Sequence, residues 1–83
     1  MNEKWDEMTF SEALDSIQAL YHGFKEKRFI LYRPSFQDGA YLYLDEVGGN
    51  LAFIMRNPAG GLYEWTPSAR DMFALDWVLD ARP

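Results

Sequence analysis

At 83 residues the chain is one domain, 1–83, and a domain this short hides only about 60% of the surface its unfolded chain exposes. A formal net charge of −5 leaves no basic stripe of the kind duplex nucleic acid requires, and the absence of cysteine excludes disulfides and thiolate chemistry. The fourteen aromatic rings (3 Trp, 5 Tyr and 6 Phe) exceed what one small core readily encloses, so the surplus points to a homo-oligomer interface or a ligand pocket. No apolar run approaches the roughly 18 residues of a membrane span, and Met1-Asn2-Glu3-Lys4 has no signal-peptide character. The expectation is a cytoplasmic protein with no membrane partner.

In chain order, Thr9-Phe10-Ser11-Glu12 matches a capping box, with Glu12 reaching back to the Thr9 backbone. Phe10, Ala13, Leu14, Ile17, Leu20 and Tyr21 then recur at spacings of 3 and 4, which predicts a helix with one apolar stripe, stopped near Gly23. Arg28–Arg33 reads as a strand ended by Pro34, and Gln37-Asp38-Gly39 as a turn. Tyrosines and leucines alternate in Ala40–Leu44, a second strand expected to bury one face and leave the other semi-exposed. Gly48-Gly49-Asn50 turns the chain into a third strand, Leu51–Arg56. Beyond the loop Asn57–Gly61, Leu62–Trp65 is a short extended piece.

Trp65-Thr66-Pro67-Ser68 then sets up a second helix. Pro67 suits a first turn, Thr66 or Ser68 can act as N-cap, and Asp71 stands three residues after Ser68 in a near capping box. The helix is expected over about Ser68–Leu75, with Asp76–Leu79 closing the domain as a strand or docked tail. The fold class is α+β: an N-terminal helix, an antiparallel sheet of about 3–5 strands and a short C-terminal helix.

Catalysis has no visible apparatus. The single histidine, His22, suits the C-terminal end of a helix, and no second His or Cys exists to build a metal site. Ser11, Ser16, Ser35 and Ser68 lack the context of a nucleophile elbow, Asp45-Glu46 reads as a solvated pair, and Gly60-Gly61 is too short to cradle phosphate. Nothing calls for a cofactor.

Binding has better material. Arg33-Pro34-Ser35-Phe36 puts a guanidinium three residues from a ring at a strand exit, and Trp65 stands just before a helix N-terminus. Arginine fits a phosphate fork and aromatic faces suit a base. The plainer alternative is that Trp65 and Phe36 belong to the core, with Arg33 paired to a carboxylate such as Asp71 or Asp76.

One resemblance spans nearly the whole chain, from about Met8 to Val78. Met8-Thr9-Phe10-Ser11-Glu12-Ala13-Leu14, then Arg33-x-x-Phe36, then Trp65-Thr66-Pro67-Ser68-x-x-Asp71-Met72 with Ala74-x-Asp76-Trp77, resembles a phage-encoded family. That family is Thoeris anti-defence two, formerly a domain of unknown function. The Trp-Thr-Pro-Ser…Asp…Asp-Trp block is the specific part.

The resemblance implies a small homo-oligomer, dimer or tetramer, that acts in the infected bacterial host. It would bind a cyclic nucleotide immune signal, such as glycocyclic ADP-ribose, and sequester it without cleavage. By position, Trp65 would stack on a base and Arg33 would meet phosphate or ribose oxygens. Asp71 would bond ribose hydroxyls or a base edge, or fix Arg33, and Phe36, Thr66 and Ser68 complete the implied ligand set.

Two departures stand out. Phe36 occupies a position where the family usually has tryptophan, and Gly23-Phe24-Lys25-Glu26-Lys27 replaces a short Gly-Lys turn. Two other functional classes compete with the sponge: a protein-interaction module gripping a host or phage protein through exposed aromatics, and a hydrolase of the signal.

Overall fold

In the computed structural model of the chain, residues 4–23 and 28–82 are described, with only the backbone given for Lys4, Arg28 and Arg82. Met1-Asn2-Glu3, and Phe24–Lys27 of the turn noted above, lie outside them. The order is β1 (Lys4–Met8), α1 (Phe10–Gly23), β2 (Arg28–Tyr32), β3 (Tyr41–Val47), β4 (Asn50–Arg56), β5 (Leu62–Trp65), α2 (Ala69–Phe73) and β6 (Trp77–Arg82).

The capping box forms as spelled in the sequence. The Thr9 N–H donates to Glu12 Oε1 at 2.9 Å and the Glu12 N–H donates to the Thr9 hydroxyl at 3.1 Å. The apolar stripe of α1 then lies on the sheet, burying Ala13 and Ile17 completely. Between β3 and β4, Gly48 and Gly49 form a two-residue hairpin turn, both at positive φ, as the right-handed twist of the strands requires.

The described residues form one sheet of six strands in the order β1-β6-β2-β3-β4-β5, with every neighbour antiparallel. This corrects the expected 3–5 strands, and the difference lies at the two ends of the chain. Lys4–Met8 becomes an edge strand, and Asp76–Leu79 is no docked tail: β6 enters the sheet between β1 and β2, in register from Arg28↔Arg82 to Tyr32↔Val78.

The second helix is also shorter than the expected Ser68–Leu75. At Ala74 the backbone turns extended (φ −68°, ψ 148°), because the chain must leave the helix to reach the slot that β6 fills.

Period-2 alternation sorts the strands onto two faces. Phe29, Leu31, Leu42, Leu44, Met55, Trp77 and Leu79 meet α1 in the main core. Ile30, Tyr41 and Tyr43, backed by Tyr32 and Ile54, form a second cluster on the opposite face, so the face of Ala40–Leu44 expected to be semi-exposed is buried too. That second cluster takes up part of the ring surplus. Among the described residues Trp5, Tyr63 and above all Phe73 stay exposed.

Candidate functional site

Trp77 anchors the site. Its indole is fully buried, with ring centroids 5.4 Å from Phe10, 5.7 Å from Phe36 and 6.1 Å from Trp65. Trp65 meets three rings nearly edge-on, those of Phe36 (6.3 Å), Phe53 (5.9 Å) and Trp77. It is therefore half-buried, held as a wall of the core rather than standing free in solvent.

Beyond Trp65, the link Thr66-Pro67-Ser68 leads to the first turn of α2. The Ser68 hydroxyl accepts the Asp71 N–H at 3.2 Å and donates to Asp71 Oδ2 at 2.8 Å, while the Ser68 N–H donates to the same carboxylate oxygen at 3.0 Å. The capping box read from the sequence is complete. Its consequence bears on ligand binding: the anion at this helix end is the chain's own carboxylate, and the helix is five residues long. The helix N-terminus that follows Trp65 is filled from within.

Arg33, just past β2, is held twice. Nε donates to Asp76 Oδ1 and Nη1 to Asp71 Oδ1, each at 2.9 Å. Hydrogen bonding to Asp76 raises the Arg33 pKa against the opposing effect of burial, and Asp71 adds to the rise. Burial works to raise the Asp71 carboxyl, but the Ser68 N–H, the Ser68 hydroxyl and the Arg33 guanidinium together bring it below the usual aspartate range. Asp71 also lends its backbone carbonyl to the Trp77 indole N–H at 2.8 Å.

The structure thus joins Arg33, Phe36, Trp65, Ser68 and Asp71 into one cluster around Trp77. Thr66 is exposed in the link before α2. The plainer alternative for Arg33 is realised in full, since it pairs with both carboxylates, and one guanidinium between two carboxylates leaves a local net charge of −1. Asp76 and Trp77 belong to the cluster as firmly as any residue of the implied set.

A groove opens on the other side of the same loop, on the sheet face away from α1. It holds about 340 Å³ and is walled by Tyr32, Arg33, Phe36, Asp38, Tyr41 and Asp80, among others. Four of those six were not singled out in the sequence. The signal that could have found Tyr32 and Tyr41 is apolar alternation on both faces of β2 and β3 at once: Leu31 and Leu42 point one way, Ile30, Tyr32, Tyr41 and Tyr43 the other. Among the described residues no group of three or more His, Asp or Glu side chains is placed to hold a metal ion, and no helix is long and apolar enough to cross a membrane.

The Thoeris anti-defense 2-like domain model matches residues 8–79. The chain belongs to this family. The matched span runs from Met8, the last residue of β1, to Leu79 in the middle of β6, and so takes in α1, every strand from β2 to β5 and the whole Trp77 cluster. No curated protein matches the chain. A Thoeris anti-defense 2-like domain is thus built here as a six-stranded antiparallel sheet carrying one long helix, with its family block folded around a buried tryptophan.

Proposed function

We propose that this Thoeris anti-defense 2-like domain is a phage sponge for a cyclic nucleotide immune signal of the glycocyclic ADP-ribose type. It binds the signal in the cytoplasm of the infected host and holds it without cleaving it. The observation that carries this reading is the family match over residues 8–79, which contains every residue of the implied ligand set.

The geometry supplies parts suited to the task. Phe36 and Trp65 offer ring surface for a base. Arg33 offers Nη2, whose two N–H donors make no hydrogen bond among the described residues. Asp71, fully engaged by Arg33 and Ser68, orients that guanidinium. Thr66 and Ser68 flank the same surface.

Nanomolar retention requires about −12 kcal/mol. Stacking supplies roughly 1–3 kcal/mol per base and a charged hydrogen bond roughly 1.5–3. One such surface falls short once ordering costs are subtracted. A homo-oligomer, dimer or tetramer, that encloses the ligand between copies would close the gap.

A second reading has its own support. Met72, Phe73 and Leu75 are exposed together around α2, with Phe73 at 81% of its full accessibility. Such a patch suits a module that grips another protein.

One experiment separates these readings from each other and from a hydrolase. The protein is mixed with a panel of cyclic nucleotide signals including glycocyclic ADP-ribose, freed of unbound ligand by filtration and then heat-denatured. Recovery of unaltered signal by mass spectrometry is the expected result. A changed mass would reveal an enzyme, and an empty release would turn attention to a protein partner.

A further inference from the structure

We infer that the groove between the Arg33–Gly39 loop and the open face of the sheet is a nucleoside subsite: it takes a base and its ribose, and leaves phosphate outside. This inference rests on the nucleotide-binding reading above and specifies which part of the ligand the groove holds.

Size sets the first limit. At about 340 Å³ the groove sits at the low end of the roughly 300–1,000 Å³ range of small-molecule sites. That is room for a base with its sugar.

Wall chemistry sets the second. Tyr32 and Phe36 give ring faces and edges against which a base can pack, and the buried Tyr41, with the Arg56 guanidinium over its ring, backs the wall. Asp38 and Asp80 bring carboxylate oxygens, hydrogen-bond acceptors that match the hydroxyls of a ribose. Asp80 Oδ1 already takes the Ala81 N–H at 2.9 Å, which fixes the carboxylate, and Oδ2 accepts no hydrogen bond among the described residues.

Charge sets the third. Among the described lining residues Arg33 is the one cation, and its Nε and Nη1 are committed to Asp76 and Asp71. A phosphate placed here would face Asp38 and Asp80 with a guanidinium whose charge is already balanced. Like charges at such range repel, whereas a neutral nucleoside meets no such cost.

The wall is also formed in advance. The Phe36 N–H donates to the Arg33 carbonyl at 2.9 Å and the Ala40 N–H to the Gln37 carbonyl at 2.8 Å, closing two successive turns. Gly39, at φ +87°, sustains the second of them. Little ordering is left for the ligand to impose.

The test titrates the whole protein with adenosine, and separately with inorganic pyrophosphate, while following the aromatic NMR signals of Tyr32 and Tyr41. Adenosine should shift both and pyrophosphate neither. The double variant Asp38→Asn/Asp80→Asn, with its fold checked by circular dichroism, should bind adenosine about tenfold more weakly. The inference is overturned if pyrophosphate moves the same signals, if adenosine moves neither, or if the double variant binds adenosine as tightly as the parent. Capture of glycocyclic ADP-ribose with Tyr32 and Tyr41 unmoved by adenosine would sink the subsite and keep the sponge. Adenosine in the groove with no signal captured would do the reverse.

Discussion

The indole N–H of Trp77 donates to the backbone carbonyl of Asp71 at 2.8 Å, tying the end of the short helix α2 to the first residue of β6. In a longer helix that carbonyl would accept the amide four residues on. Here the helix stops at Phe73, and a side chain from the adjoining strand takes the amide's place. Trp77→Phe removes that donor and opens space among Phe10, Phe36 and Trp65. We expect a loss of about 2–3 kcal/mol in the urea unfolding free energy. A loss under about 0.5 kcal/mol would mean that the cluster repacks freely.

Acid should expose the role of Asp71. Its carboxyl titrates below the usual range in the folded protein, so its stabilising contribution is complete above the unfolded aspartate value of about 3.9 and is lost as pH falls through the lower folded value. The urea midpoint of the parent should fall steeply below about pH 4. Asp71→Asn should start lower at neutral pH and fall less steeply; parallel curves would show that other carboxylates govern the acid transition.

Ser68→Ala removes one partner of the capping box while leaving Asp71 in place. The expected cost is about 1 kcal/mol, read as a drop in thermal midpoint. Because Asp71 also holds Arg33, the variant should loosen that arginine too. Faster exchange of the Arg33 guanidinium protons would report it, and unchanged exchange would show that Asp76 suffices.

Glu7 carries the one positive φ among the described non-glycine residues, +53°, where the β1–β6 register shifts between Trp5 and Met8. A side chain in that region costs roughly 1–2 kcal/mol relative to the ordinary backbone regions. Glu7→Gly should therefore raise stability by about 0.5–1 kcal/mol, the gain reduced by glycine's greater freedom when unfolded. A destabilised variant would show that the exposed Glu7 side chain contributes more than its backbone strain removes.

Trp65→Ala should abolish signal capture, yet it also takes a ring away from Phe36, Phe53 and Trp77, at a cost of about 3 kcal/mol in stability. Trp65→Phe keeps most of the contact and should weaken capture several-fold with the fold intact. Full capture by a folded Trp65→Phe protein would remove Trp65 from the site.

Local chemistry was the legible part of the sequence. The Thr9/Glu12 and Ser68/Asp71 boxes, the Gly48-Gly49 turn and the stripe from Phe10 to Tyr21 each depend on residues a few positions apart, and each forms as spelled. Pairings made at a distance were not legible. Nothing within Lys4–Met8 says that it will lie beside residues 77–80, and Trp77–Arg82 gives no local sign that it will separate β1 from β2. The site divided along the same line. The family block flagged Arg33, Phe36, Trp65 and Asp71, but the groove needs β2, β3 and β6 side by side before Tyr32, Tyr41 and Asp80 meet.

The place of β6 governs how the molecule comes into being. Among the described residues β1 pairs with residues 77–80 alone, so during synthesis it waits for that partner, and β2 waits equally long for its second neighbour. The hairpin of β3 and β4 can form early, yet the core lacks its central indole until Trp77 is clear of the exit tunnel. Assembly is therefore held back until nearly the whole domain has been translated, with closure spanning some of the greatest sequence separations the domain contains. Until then α1 has β2 and β3 to rest on, but β1 has no strand beside it.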